Sequence, residues 1–293
     1  MAKTASGFAL MGGGTDQDAA FQWMCERAGD GDFLILRASG TDAYNDYVKK
    51  LCPGLSSVAT LIITSREGAS QAFVAAKIRS ASAVFLAGGS QDNYINFWRG
   101  TPVEAEINAA IQKGVPVGGT SAGLAVLGEY SFAALKDTVK SSEALRNPFD
   151  ERVTVTRDFL HVPNLEGKIT DSHFVARDRM GRLVAFLARI AGDGWNRVPS
   201  GIGIDEKTVL LMEADGTARV TGLGAVYFLR APGPPEECRP GTPLTYQNLS
   251  VYKLTTGNGI FNLKSWTGSG GVEYKLSAER GELKSTQAGN QIY

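Results

Sequence analysis

The sequence predicts an α/β fold: a parallel sheet with helices on both faces, a sharp strand-to-helix turn of the nucleophile-elbow kind, and a β-rich C-terminal segment. Two observations carry this. Short apolar runs alternate with stretches of helical period through the first two thirds of the chain, the pattern of strand-helix-strand units around a buried parallel sheet. Several runs also end in glycine or a small polar residue, as in Gly12-Gly13-Gly14, Gly88-Gly89-Ser90 and Gly118-Gly119-Thr120, and open α/β sheets hold ligands at the carboxyl ends of their strands.

Taken in order, strands are expected at 8–11, 33–37, 59–63, 83–86 and 115–118, and at 203–204 leading into 208–212. Each is a short apolar run bounded by turn residues. Helices are expected at 18–27, 67–80, 102–113 and 174–190, where the period is helical. After Leu229 the texture changes to Pro, Gly, Ser and Thr, with short β-like pieces at 249–253, 260–263 and 272–275. The division drawn from this is an α/β catalytic domain over 1–230 and a β-rich appendage over 231–293, whose strands stand apart or add to the main body.

Composition removes several classes of function. Thirty basic residues balance thirty acidic ones in 293 residues, so no global field draws the chain to nucleic acid or to an anionic membrane. No apolar run reaches the ~18 residues of a membrane span. Residues 1–7 contain no apolar leader, so a cytoplasmic protein is expected, although a trimmed secreted chain would read the same. Cys25, Cys52 and Cys238 are odd in number and widely spaced; without CxxC or Cys/His spacing they read as buried thiols, and neither a metal nor an organic cofactor is expected.

The chemistry gathers around Val115-Pro116-Val117-Gly118-Gly119-Thr120-Ser121-Ala122-Gly123. This is a strand, a tight turn and a helix start, with Ser121 at the centre of G-x-S-x-G. Glycine on both sides lets the backbone bend sharply, so the hydroxyl projects above the sheet with the Ala122 N–H beside it. A serine nucleophile needs a base, and histidine is the usual one near neutral pH. Of the two histidines, His173 stands at an element end before an expected helix, whereas His161, between Leu160 and Val162, reads as a core or strand histidine. The third partner should be a carboxylate that orients the imidazole. Glu206 ends an apolar strand-like piece; Asp205 precedes it, and strand alternation lets only one of the two face the histidine. Arg177, Arg179 and Arg182 cluster within six residues of one another near His173, with Asp171 two residues before it. Guanidinium groups grip carboxylates bidentately, so an acidic substrate fits, as does a solvated helix face with Asp178 in an ion pair.

Four segments together carry a family resemblance: Ala87-Gly88-Gly89-Ser90-Gln91, Gly119-Thr120-Ser121-Ala122-Gly123, Asp171-Ser172-His173-Phe174 with Arg177-Asp178-Arg179-Met180-Gly181-Arg182-Leu183, and Gly201-Ile202-Gly203-Ile204-Asp205-Glu206. Over roughly residues 8–229 the chain resembles the cyanophycinase branch of the serine peptidase family that also holds aspartyl dipeptidase, peptidase E. The resemblance implies a flavodoxin-like fold related to class I glutamine amidotransferases and a triad of Ser121, His173 and Glu206. It also implies an oxyanion hole of the Gly89 and Ala122 N–H groups. Gln91, Asp171, Arg177, Arg179 and Arg182 fall where the family shapes its pocket for an aspartyl residue joined through its side chain to arginine. Ser172 departs from the pattern, since the family often has glutamine there. A peptide or cyanophycin-like substrate and a homodimer follow by resemblance alone.

The expected activity is therefore hydrolysis of aspartyl peptide bonds, β-aspartyl or isoaspartyl in the first reading, through an acyl-enzyme. An α-aspartyl dipeptidase and a different acyl hydrolase, an esterase or amidase, are the enzymatic alternatives. From another class comes a binding protein that cradles an anion or small ligand in Gly12-Gly13-Gly14 and Gly88-Gly89.

Overall fold

The computed structural model describes residues 3–293; Met1 and Ala2, part of the segment read above as lacking a leader, lie outside the described residues. Five parallel strands form the centre of one sheet: β1 (Gly7–Met11), β2 (Asp32–Arg37), β3 (Ser57–Ile62), β4 (Ala83–Leu86) and β5 (Val117–Thr120); β1, β4 and β5 are buried throughout, β2 nearly so, and the edge strand β3 is part-exposed. Phe8, Leu10, Leu34, Leu36, Val84 and Leu86 enter one core, while Ala9, Met11, Phe33, Ile35 and Phe85 enter another on the opposite face. Their order across the sheet is β1-β5-β4-β2-β3. Against the flavodoxin order 2-1-3-4-5, β3, β2, β4 and β5 fill the first four places and β1 fills the last.

Beyond β1 the direction reverses. Strands Thr208–Glu213, Thr217–Gly222, Ile260–Asn262 and Thr267–Ser269 add antiparallel neighbours and bring this sheet to nine strands. A second sheet of eight strands packs beside it, running from Glu282–Ser285 through Val272–Glu279, Tyr246–Thr255, Ala225–Arg230, Ser200–Ile204 and Lys168–Asp171 to Tyr130–Phe132 and Val155–Arg157. Helices Asp18–Ala28 and Tyr44–Leu51 cover one face of the first sheet. Its other face shares a core with helices Ala72–Ser80 and Pro102–Gln112 and with Ile202, Ile204, Phe228 and Leu254 of the second sheet. Helix Met180–Gly192 closes the far face of the second sheet.

Several boundaries differ from the sequence expectation, each for a local reason. The expected continuous piece from 203 to 212 is two strands in different sheets: Ser200–Ile204 belongs to the second and Thr208–Glu213 to the first, and residues 205–207 cross between them. Periodicity fixes which face a strand buries but not which sheet it joins. The expected helix 67–80 breaks into Arg66–Ala69 and Ala72–Ser80, and the helix expected from 174 starts only at Met180, after a loop in which Asp178 has φ 47°. The strand before Ser121 lies two residues further on than expected, and residues 231–293 contribute strands to both sheets. The reading of three free thiols is corrected: Cys25 and Cys52 form a disulfide linking helix Asp18–Ala28 to the end of helix Tyr44–Leu51. A separation of 27 residues hides the pairing in sequence, because only the fold lays the two helices side by side. Cys238 stays a half-buried thiol, pushed up to about 11 by burial.

Candidate active site

Three loops from distant parts of the chain meet at the carboxyl ends of β1, β4 and β5. Ser121 follows β5 with φ 53° and ψ −112°, a conformation that costs a non-glycine residue about 1–3 kcal/mol and persists only where the surroundings over-determine it. Here they do: the Ser121 N–H donates to the Met11 carbonyl at 3.2 Å and its carbonyl accepts from the Ala125 N–H at 3.0 Å. No side chain fits at either flanking glycine. A Cβ on Gly119 would stand 2.6 Å from the Gly123 carbonyl, and one on Gly123 would stand 2.0 Å from the Leu86 oxygen.

His173 follows strand Lys168–Asp171 of the second sheet, with φ 47°, and its N–H donates to the Gly12 carbonyl at 2.7 Å. Its Nε2 lies 2.7 Å from Ser121 Oγ and its Nδ1 lies 2.5 Å from Glu206 Oε1. Glu206 sits in the crossing between the sheets. The choice left open between Asp205 and Glu206 has a geometric answer: Asp205 turns away and accepts N–H bonds from Val175 at 3.2 Å, Ala176 at 3.4 Å and Glu206 at 2.9 Å. It thereby braces the loop that follows His173.

Sequence reasoning missed what lies beneath the ring. Gly13, at φ 94°, packs so closely that a Cβ would stand 2.6 Å from both Cε1 and Nε2 of His173. The Lys207 N–H donates to the Gly13 carbonyl at 2.8 Å, so Gly12-Gly13-Gly14 is a seat for His173 and Glu206. The signal was present as a glycine triplet after the first strand. It read as an anion cradle because nothing local says that the neighbour is an imidazole.

The surroundings of His173 favour the neutral imidazole. Burial holds His173 below its ordinary value and the nearby Arg177 and Arg179 add to the depression, while the bond to Glu206 works the other way. Glu206 is held below the usual carboxylate range, first by the hydrogen bond from His173. Among the described residues neither the Gly89 nor the Ala122 N–H has a protein acceptor. Gly88, next to Gly89, lies against the serine: a Cβ there would be 3.5 Å from Ser121 Cβ.

The remaining expected residues divide into an exposed and a buried set. A cleft of about 650 Å³ is lined by Gln91, Arg177, Arg179 and Arg182 together with Phe132 and Lys136. Gln91 is tethered by its amide to the Phe132 carbonyl at 3.1 Å. Arg182 is only 1% exposed and forks onto Asp171, with Nε 2.8 Å from Oδ2 and Nη2 2.5 Å from Oδ1. Burial alone would raise the Asp171 carboxyl, but Arg182 and Arg179 bring it below its ordinary value. These two charges therefore satisfy each other at the base of the cleft. Arg179 leans on this pair, donating to the Ser172 carbonyl at 2.8 Å and reaching Asp171 at 3.4 Å; burial lowers it to about 10. Arg177 is exposed and has no carboxylate partner among the described residues. His161, expected in a core or strand, is instead exposed in a loop, where its N–H donates to Asn108 Oδ1 at 2.8 Å.

Residues 8–149 match the family model of Peptidase family S51. The cyanophycinase of Synechococcus elongatus is 28% identical over 269 residues, covering 89% of this chain and 75% of that protein. The cyanophycinase of Trichormus variabilis is 31% identical over 210 residues, 70% of this chain and 65% of that protein. The crystal structure of a peptidase from an acI-B1 actinobacterium shares the fold, with a TM-score of 0.60 at 18% identity over 89% of this chain and 98% of that one. The protein is a serine-type peptidase, a hydrolase on an α/β scaffold. Residues 8–149 are those of peptidase family S51, and the chain is cyanophycinase-like over most of its length.

Proposed function

We propose that the chain hydrolyses aspartyl peptide bonds, β-aspartyl linkages of the cyanophycin kind first among them, through an acyl-enzyme on Ser121. The observation that carries this reading is the unbroken relay from Ser121 Oγ to His173 Nε2 at 2.7 Å and from His173 Nδ1 to Glu206 Oε1 at 2.5 Å. A depressed, neutral imidazole can take the serine proton as Oγ attacks the carbonyl carbon. Glu206 fixes the tautomer that leaves Nε2 free to accept, and stabilises the imidazolium that forms. The oxyanion that develops on the former carbonyl oxygen is met by the Gly89 and Ala122 N–H groups; each such donor is typically worth a factor of ~10²–10³ in rate. His173 Nε2 returns the proton to the leaving nitrogen and the amine departs; Nε2 then takes a proton from the water that attacks the ester carbonyl and passes it to Ser121 Oγ as the ester bond breaks and the acid is released.

Selectivity for an acidic residue rests on the exposed Arg177 and the part-buried Arg179 in the cleft beside the relay. Asp171 and Arg182 act one step removed, as the floor that orients Arg179. The catalytic part of the reading is tested by fluorophosphonate labelling, expected at Ser121 and abolished by Ser121→Ala. The selectivity part is tested by turnover of β-Asp-Arg, β-Asp-Lys, β-Asp-Leu and α-Asp-Leu. Labelling without turnover of any of the four would move the reading to an esterase or amidase, and the absence of both would sink it.

A further inference from the structure

Asp178 is the one acid in the arginine-bearing stretch, standing between Arg177 and Arg179, and an exposed carboxylate so placed is expected to neutralise one of them. It pairs with neither. Its Oδ1 instead accepts from the Tyr293 hydroxyl at 2.8 Å, and that hydroxyl in turn accepts from the Met180 N–H at 3.0 Å. The tyrosine is itself fixed: its ring meets Phe174 edge-on at 6.0 Å and Tyr227 at 5.7 Å between centroids. The Asp178 backbone is fixed too, since its N–H donates to the Val175 carbonyl at 3.0 Å and its carbonyl accepts from Ser141 Oγ. Only the carboxylate is free to turn, and the Tyr293 hydroxyl decides where it points.

We propose that Tyr293 is a positioning residue for substrate affinity: by holding Asp178 it keeps this acid off Arg177 and Arg179 and leaves their guanidinium groups to the carboxylate of the substrate. The proposal rests on the aspartyl reading for the identity of that carboxylate. It gives residues 231–293 a part in recognition, through a side chain more than 110 residues along the chain from the acid it controls. Released, Asp178 becomes an internal competitor, and an exposed ion pair of this type weakens binding of an external acid by up to about fivefold.

The test compares Tyr293→Phe, which keeps the ring and removes the hydroxyl, with Asp178→Asn and with the double variant. L-Aspartate binding is measured by calorimetry, and kcat and KM are measured on whichever aspartyl peptide the unaltered protein turns over. Tyr293→Phe is expected to weaken aspartate binding and raise KM about fivefold, with kcat within about twofold. Adding Asp178→Asn is expected to restore both constants, because a neutral amide cannot compete for a guanidinium. Unchanged affinity in Tyr293→Phe, a double variant as weak as the single one, parallel loss of kcat, or no aspartate binding by the unaltered protein each overturns the proposal. Aspartate binding that follows the expected pattern without turnover of any aspartyl peptide would leave the clamp standing and remove the proposed activity.

Discussion

Gly13→Ala places a methyl carbon under the His173 ring, 2.6 Å from both Cε1 and Nε2. Ordinary carbon contacts lie near 3.5 Å, so the imidazole has to retreat by about 0.9 Å. The Gly12 carbonyl that anchors the His173 N–H belongs to the same loop, so loop and ring cannot simply move apart. A retreat of this size stretches the 2.7 Å contact to Ser121 Oγ beyond hydrogen-bond reach. Misplacing a catalytic group by about 1 Å costs on the order of 10²-fold in rate, and that is the loss expected in kcat. Alanine at the φ of 94° adds strain of about 1–2 kcal/mol, which shows as a modest fall in melting temperature. The assay pairs kcat on an aspartyl peptide with the rate of fluorophosphonate labelling, and both should drop together in a folded protein. A folded Gly13→Ala variant with unchanged labelling and turnover would refute the idea that this loop seats the base.

Other outcomes follow from the same geometry. Glu206→Gln is expected to lower kcat on the order of 10⁴-fold. Because Glu206 raises the imidazole while burial lowers it, the acid limb of kcat/KM should lie below the usual ~6.5 in the unaltered protein and move lower still in the variant; an upward move would contradict the assigned contacts. Arg177→Gln should raise KM about tenfold and, by removing a charge that depresses His173, shift that limb upward, so a pH profile and a KM measurement check it jointly. Breaking the disulfide by Cys25→Ser and Cys52→Ser releases a closed loop of 27 residues, worth about 3.5 kcal/mol in the chain-entropy picture. Calorimetry with and without reductant should show that loss in the unaltered protein and none in the double variant.

How much of this was legible in the sequence depends on the range of the interaction involved. Ser121 and its flanking glycines were readable because an elbow is a local object: a strand, a bend and a helix start within ten residues. The strand faces were readable for the same reason, as Phe8 and Leu10 against Ala9 and Met11 record a period of two. His173 and Glu206 were reached by placement and by resemblance, since no local rule brings residues 52 and 85 positions beyond the serine to its side. The second sheet escaped because its strands are short and their partners distant: Ser200–Ile204 pairs with Ala225–Arg230 and Lys168–Asp171, a choice no window of ten residues contains. The disulfide and the hydroxyl on Asp178 escaped for the same cause. Arg182 shows the opposite error, where local charge suggested a surface role and the fold buried the guanidinium against Asp171.

The crossing at residues 205–207 makes the proposed reactive centre a joint possession of the two sheets. The alcohol rides on one, the imidazole on the other, and the carboxylate on the chain that stitches them. Turnover is thus a sensor of how the layers register against one another. On gentle heating or in mild denaturant, slippage of a fraction of an ångström at that seam would extinguish hydrolysis while both sheets kept their hydrogen-bond ladders, so enzymatic inactivation should precede the loss of far-ultraviolet dichroism.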